Sequence, residues 1–321
     1  MTQHSWTLRL LLAALLAFCA HVILWTPIPG IIDAALLALG YLALSSLLLE
    51  IAARYRLRDL FGLLTLAGIA GMANGLILNP QSALSSVPRT LISRALGGHA
   101  VAGLIALALF LALTNGSLRA RRFLIVTLIL AALIGVGWGT WAHWSSQFFD
   151  NGIEAAPLRL LLDAALGLML ITLALMLERG ASPTDLRLDS RGWAFTLIVL
   201  VGLLVLHLLQ GQIDVLSLSL LVTLSAFAIM ILWFQKRQKG ATLLDNVASV
   251  PVAWWQWIAL VLVFALGGVL GYLLPHSGND VNDPVAVIGA IFTAYGLIWL
   301  PALTIVLGAR AFTRQARAMR L

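Results

Sequence analysis

Histidines are the residues of this sequence best suited to proton or ligand chemistry, and they are distributed unevenly. Five of the six lie near one end of an apolar segment, at positions 21, 99, 143, 207 and 276. Histidine changes charge near neutral pH and can bind a ligand through either ring nitrogen. Because a polar group in an apolar membrane segment costs free energy unless it is paired or wet, such positions are candidate functional sites. We predict ligand binding by His99, His143 and His207, with a merely interfacial position as the alternative.

The stretch from Asn74 to His99 holds the densest local group of polar residues. Asn74 lies inside an apolar segment, Asn79 stands before the proline that ends it, and two arginines follow. Arginine presents a planar fork of donors that suits a phosphate or a carboxylate. We therefore predict that Asn74, Asn79, Arg89 and Arg94 bind a ligand together with His99. The alternative for the two arginines is a snorkelling or salt-bridged position at the membrane surface.

Two carboxylates complete the predicted ligand-binding set. Asp163 and His207 are the strongest of the polar candidates, because each is predicted inside its apolar segment rather than beyond it. Asp214 stands near the start of a predicted helix. Aspartate at that position also caps free backbone N–H groups, so a structural role is the alternative for Asp214.

No motif for a known catalytic or metal centre accompanies these residues. The sequence has no Gly-x-Ser-x-Gly elbow, no phosphate-binding loop and no His-Glu-x-x-His helix. Its single cysteine excludes a disulfide framework and a cysteine-rich metal centre. We therefore predict no catalytic or metal-binding residue and leave the cofactor undetermined.

The elements that must position these residues are membrane helices. Hydrophobic residues make up 61% of the sequence and charged residues 10%, and the mean hydropathy is +0.99, which excludes a water-soluble globule. A membrane helix needs about 20 apolar residues, so ten spans leave no room for a soluble domain. We predict one all-α transmembrane domain over residues 1–321, with helices at about 8–26, 31–52, 59–78, 95–114, 121–143, 157–177, 192–210, 214–234, 254–274 and 285–309.

The basic residues predict the orientation of these helices. Lysine and arginine collect in short cytoplasmic loops, and 17 of the 20 fall on one side if the N-terminus is cytoplasmic. The exceptions are Arg89, Arg94 and Arg159. We predict a multi-pass protein of a bacterial inner membrane, with both termini cytoplasmic. The net charge of +7 is then explained by the basic residues of the cytoplasmic loops. We therefore expect no nucleic-acid partner.

Three pairs of glycines four positions apart predict where helix backbones approach closely. The pairs are Gly71 with Gly75, Gly135 with Gly139, and Gly267 with Gly271. All three fall in odd-numbered predicted helices. We therefore expect the odd helices inside the bundle and the leucine-rich even helices against lipid.

Ten helices in five hairpins, in about 320 residues, is a plan similar to the drug/metabolite transporter superfamily and to the dicarboxylate and tellurite-resistance transporters. The similarity rests on helix number, length and hairpin plan. The similarity agrees with our prediction from the polar residues, which is a small-solute transporter or channel with an outward-facing vestibule lined by odd helices. Two alternatives stay open: a membrane enzyme or assembly factor acting on a lipid-linked substrate at the outer face, and a complex subunit holding haem or quinone between outer histidines.

Overall fold

All regular structure in the described part of the chain is helical. The computed structural model describes residues 3–24, 26, 30–84, 87, 89–141, 157–177, 186–236, 241–245, 247, 254–274, 290–297, 305–306, 308–310 and 313. Within these ranges the α-helices are α1 Gln3–Ala17, α2 Ile31–Arg54, α3 Leu60–Ala73, α4 Pro80–Leu84, α5 Ala100–Thr114, α6 Arg121–Trp141, α7 Pro157–Leu177, α8 Ser190–Leu209, α9 Val215–Lys236 and α10 Trp254–Leu273.

Eight helical stretches of the described residues are long and apolar enough to cross a membrane. They are Ser5–Ile23, Ile31–Arg54, Leu60–Leu78, Leu91–Thr114, Arg121–Thr140, Ser190–Leu209, Val215–Trp233 and Trp254–Leu273. Their ends agree with the predicted segments to within a few residues, and α7 matches the predicted sixth segment. Most of the predicted tenth span lies outside the described residues, although 290–297 is helical. The all-helical, multi-span architecture is confirmed, and the count of ten and the orientation stay predictions.

The interior is formed by the first, third and fourth spans. About two thirds of the residues in the hydrophobic windows of these spans are buried, namely 61%, 67% and 67%. The expectation that the odd-numbered predicted helices lie inside is therefore wrong. The fourth predicted helix is among the most buried, whereas the fifth and seventh, which are α6 and α8 of the structure, are only 28% and 22% buried. Residue size explains the difference, since the fourth span carries alanine or glycine at seven positions between 95 and 106, which lets neighbours pack closely.

Glycines form the closest helix contact, as predicted. A Cβ atom on Gly135 or Gly139 of α6 would overlap the carbonyl oxygen of Phe264 or Gly268 on α10. A Cβ on Gly267 of α10 would lie 2.6 Å from the Ala132 carbonyl oxygen of α6. Two predicted glycine pairs therefore pack against each other and join α6 to α10 by backbone contact.

Two buried residues of opposite charge, Arg9 and Glu50, lie at the end of the helix bundle where α1 begins and α2 ends. The Arg9 side chain, 0% exposed, donates to the Ser5 carbonyl at 2.8 Å and to the Leu186 carbonyl at 2.9 Å. Glu50 accepts from the Leu188 backbone N–H at 2.7 Å. The chain before α8 is thereby attached to α1 and α2.

Candidate functional site

Three π-helical segments interrupt the buried spans. They are Phe18–Ile23 after α1, Asn74–Leu78 after α3, and Leu91–His99 before α5. Their wider turns are seen in hydrogen bonds across five residues, from the Leu24 N–H to the Cys19 carbonyl and from the Asn79 N–H to the Asn74 carbonyl. Such segments are rare and occur frequently at functional sites. Each of the three carries a polar residue of the site described next.

Glycines allow the second and third π-helical segments to meet. A Cβ on Gly71 of α3 would lie 2.6 Å from the Ala95 carbonyl oxygen, and one on Gly75 would lie 2.5 Å from the Ala95 Cβ. The predicted pair Gly71 and Gly75 is therefore a close-contact pair. On its other side the third segment packs against helix 290–297, where a Cβ on Gly97 would overlap the Phe292 carbonyl oxygen.

Tyr41 of α2 is the centre of a buried polar cluster, which comprises His21, Tyr41, Asn74, Asn79 and His99. The Tyr41 hydroxyl oxygen lies 2.9 Å from His21 Nε2 and donates to Asn74 Oδ1 at 3.0 Å. The rings of His21 and Tyr41 meet edge to face, with centroids 5.5 Å apart. The other ring nitrogen of His21 is 2.9 Å from the Thr26 carbonyl oxygen.

The asparagines extend the polar cluster to the fourth span. Asn79 Nδ2 donates to Asn74 Oδ1 at 2.6 Å and lies 3.4 Å from the Tyr41 hydroxyl. Asn74 Nδ2 lies 3.1 Å from His99 Nδ1. A continuous chain of hydrogen bonds thus runs from the Thr26 carbonyl through His21, Tyr41 and Asn74 to His99.

The polar cluster is deep in the protein. Tyr41, Asn74 and His99 are 1%, 5% and 4% exposed, whereas His21 and Asn79 are partly buried. Tyr41 is ten residues into the 24-residue α2, about 15 Å along a helix about 36 Å long. The cluster therefore lies well inside the apolar interior of the helix bundle, where each unpaired polar group would be costly.

The structure brings together three of the predicted ligand-binding residues, Asn74, Asn79 and His99, and adds two that the sequence analysis did not select. His21 had been noted only as one of several histidines, and Tyr41 not at all. A phenol in the middle of an apolar helix is the signal that could have identified Tyr41, since intramembrane polar groups are rare.

The two predicted arginines, Arg89 and Arg94, lie on the same stretch of chain as Asn74, Asn79 and His99. Arg94 is on the third π-helical segment, five residues before His99, and is partly buried. Arg89 precedes that segment and is exposed. Arg94 therefore adds positive charge near the His99 end of the cluster.

The other predicted residues lie outside the polar cluster. Asp163 of α7 is exposed, and His143 falls outside the described residues. Asp214 is exposed and accepts from the Ser217 backbone N–H at 2.7 Å, which is the capping role that the sequence left open. Hydrogen bonds from Ser217 hold the pKa of Asp214 below its ordinary value of 3.8. His207 is partly buried on α8, and its Nδ1 has no hydrogen-bond partner among the described residues.

The chemistry available to the polar cluster is hydrogen bonding and proton exchange. Its donors and acceptors come from two imidazoles, one phenol and two amides, with no carboxylate. Among the residues that the structure describes, no group of three or more His, Cys, Asp or Glu side chains is placed to hold a metal ion. Comparison with protein-family models, with curated proteins and with solved structures finds no match to this chain.

Proposed function

We propose that the chain is a small-solute transporter of a bacterial inner membrane, with both termini cytoplasmic, in which the polar cluster is the solute-binding site. The observation that carries this proposal is the meeting of three π-helical interruptions at one buried set of hydrogen-bonding side chains. Transporters bind their solutes near the middle of the bilayer, where helices are discontinuous.

The energetics of the polar cluster support a binding role. A buried polar group is costly unless it is hydrogen-bonded, so a cluster that only stabilised the fold could be replaced by apolar packing. Side chains that bond to each other when the site is empty can exchange those bonds for bonds to a solute. Tyr41 and Asn74 are placed to do so because each contacts more than one partner.

The residue types favour a small polar solute that is uncharged or negatively charged. No carboxylate belongs to the polar cluster, which gives a cationic solute no charged partner. Arg94 lies on the segment that ends at His99, and a guanidinium favours a carboxylate or phosphate group. The predicted sorting of 17 of 20 basic residues to one side supports the orientation.

The alternative of an enzyme acting on a lipid-linked substrate has less support. Its acid and base groups would be outer aspartates and histidines, yet Asp214 is engaged as a helix cap, Asp163 is exposed on α7 and His99 is bonded to Asn74. A haem or quinone held between His21 and His99 is disfavoured because these two side chains are joined through Tyr41 and Asn74.

A binding screen on the purified full-length protein tests the proposal. The probes are acetate, succinate, glycine, glucose and inorganic phosphate, and the readout is the free energy of unfolding in detergent. A solute present at one hundred times its Kd stabilises the folded state by about 2.7 kcal/mol. Any solute that stabilises the protein is then tested for uptake into proteoliposomes in radiolabelled form.

Two tyrosine variants provide the matched comparison. Tyr41→Phe keeps the ring and removes the hydroxyl from the polar cluster, so it should lose the stabilisation by solute. Tyr55→Phe makes the same chemical change at a partly buried position beyond the cluster, and it should keep that stabilisation. The proposal fails if no probe stabilises the wild type more than Tyr41→Phe and none is taken up.

A further inference from the structure

Arg58, in the turn between α2 and α3, carries hydrogen-bond donors that no described residue satisfies. Its Nε and Nη1 atoms are buried, and neither has a hydrogen-bond partner among the described residues. A guanidinium is always charged in proteins, and a buried charged donor without an acceptor costs free energy. The residue as a whole is only partly buried, so a small change of its rotamer brings these nitrogens to an acceptor at the surface.

The backbone of this turn is held in place from both sides. The Leu243 N–H donates to the Leu57 carbonyl at 2.7 Å, Leu57 is 0% exposed, and Asp59 caps the start of α3. Arg56 adopts a φ of 51°, and no other non-glycine residue of the described ranges has a positive φ. Such a backbone persists only where its surroundings hold it. The turn therefore presents Arg56 and Arg58 in a fixed arrangement.

Arg310, which is distant in the sequence, is brought to the same turn. Its Nη1 lies 3.5 Å from Asp59 Oδ2, and its guanidinium carbon lies 4.3 Å from the centre of the Phe61 ring, a favourable contact between a cation and an aromatic face. The Arg310 side chain nevertheless remains 48% exposed. We call the set of Arg56, Arg58 and Arg310 the basic turn.

Two carboxylates of the described residues lie beside the basic turn, and both are already engaged. Asp59 serves the α3 cap, and the Asp245 oxygens accept from the Thr242 backbone N–H at 2.6 Å and from its hydroxyl at 2.5 Å. The bonds from Thr242, assisted by the positive charges of Arg56 and Arg58, hold the pKa of Asp245 below its ordinary value of 3.8. Three positive charges thus accompany two negative ones, and the buried nitrogens of Arg58 still have no acceptor.

The basic turn lies at a membrane surface, next to apolar side chains that face outwards. It joins the second and third spans on the side predicted to be cytoplasmic. Leu60, the first residue of α3, is 63% exposed, and Ile305, five residues before Arg310, is 69% exposed. A membrane lipid places its phosphate at this depth and its acyl chains beside such residues. Basic pockets between membrane helices on the cytoplasmic side bind acidic lipid headgroups.

We propose that the basic turn binds the phosphate of an anionic phospholipid, with Arg58 donating to the phosphate oxygens and Arg56 and Arg310 supplying further positive charge. A guanidinium matches a phosphate in charge and in the geometry of its donors. The bound lipid gives the Arg58 nitrogens the acceptor that the described residues do not provide. The lipid site is independent of the proposed transport function, because no solute takes part in it.

Native mass spectrometry of the full-length, delipidated protein in a nonionic detergent tests the lipid site. The probes are dioctanoyl phosphatidylglycerol, dioctanoyl phosphatidylcholine, glycerol 3-phosphate and inorganic phosphate. We expect phosphatidylglycerol to bind with a lower Kd than phosphatidylcholine, whose choline cation cancels the charge of its phosphate. Neither water-soluble phosphate should displace it at equal concentration. Equal Kd values for the two lipids would overturn the proposal, and displacement by inorganic phosphate would replace the lipid by a free anion.

Two matched arginine variants separate this site from general surface charge. Arg58→Gln should raise the Kd for phosphatidylglycerol about tenfold or more, because a charged hydrogen-bond donor is lost. Arg122→Gln makes the same change at an exposed position at the start of α6, on the same predicted side, and should raise it about twofold or less. Equal effects of the two variants would contradict a specific site.

Protein stability without lipid distinguishes a binding role of Arg58 from a structural one. Arg58→Gln should not lower the unfolding temperature of the delipidated protein, because two of the nitrogens it removes have no partner among the described residues. A clear loss of stability would assign Arg58 to the fold and overturn the proposal. Arg310→Gln gives a second test that does not depend on Arg58. It should also weaken phosphatidylglycerol binding, and an unchanged Kd would exclude the basic turn as the site.

Discussion

Arg9 and Glu50 bind backbone groups only two residues apart on the same segment of chain. Arg9 donates to the carbonyl of Leu186, and Glu50 accepts from the N–H of Leu188. Both side chains are almost fully buried, at 0% and 1% exposed. The first two spans therefore hold the chain before α8 through one charged group of each sign.

Glu50→Ala should destabilise the protein strongly. The substitution leaves the Leu188 N–H without its acceptor and the buried Arg9 without its nearby negative charge, a change that typically costs about 3 to 5 kcal/mol. Arg54→Ala is the control, because Arg54 also pairs with Glu50 at 2.9 Å but its side chain is 58% exposed, and it should cost less than about 1 kcal/mol. Unfolding in mixed detergent micelles measures both, and equal losses would contradict the proposed role of Glu50 in holding the chain before α8.

Gly139→Ala should weaken the contact between α6 and α10. A Cβ at Gly139 would overlap the Gly268 carbonyl oxygen, and overpacking of this kind costs about 1 to 3 kcal/mol. Gly137→Ala makes the same change on α6 at a position with nothing within 4 Å of the new atom, so it should cause no loss. Unfolding measurements that rank the two variants in the opposite order would exclude the backbone contact.

Stability should fall in acid partly because two helix caps lose their charge. Hydrogen bonds from Gly192 and from Ser217 hold the pKa values of Asp189 and Asp214 below 3.8. Their contribution is complete above about pH 4 and is lost as the pH falls through the lowered values. The Asp189→Asn/Asp214→Asn variant keeps capping side chains but has no charge at them. Its unfolding temperature should therefore be lower than that of the wild type above about pH 4 and should approach the wild-type value in stronger acid. A constant difference down to about pH 2 would disprove the charge effect.

Thiol labelling should establish the predicted orientation. The native Cys19 is 1% exposed, so single cysteines can be added without replacing it. Ala120 before α6 and Gln210 after α8 are both exposed and are predicted on opposite sides of the membrane. An impermeant maleimide should label Gln210→Cys in intact cells and Ala120→Cys only after lysis; the reverse pattern would invert the topology.

Most helix boundaries could be predicted from the sequence because apolar runs and charged turns determine them directly. For example, the segment predicted at 31–52 corresponds to the helix Ile31–Arg54 in the structure, which is slightly longer because a helix can continue past the hydrocarbon layer. The inner and outer helices could not be predicted from their order along the chain. Burial depends on small residues such as Ala95, Gly97 and Gly103, which permit close packing whatever the number of the helix.

The polar cluster was only partly predictable. Asn74, Asn79 and His99 were selected because each is polar within an apolar stretch. Their partners were not, because the regular helical period assigns residues to faces only while the turn is constant. A π-helical segment departs from that constant turn, and His21, which contacts Tyr41, lies within such a segment.

The glycine contact between α6 and α10 has a consequence for synthesis of the chain. The first residue of α10 lies 113 positions after the last residue of α6. At ordinary translation rates, α6 therefore waits on the order of ten seconds in the bilayer before its partner emerges from the ribosome. During that interval its glycine face is open to any other helix with a matching face, so correct assembly depends on whether α10 arrives before a competing helix does.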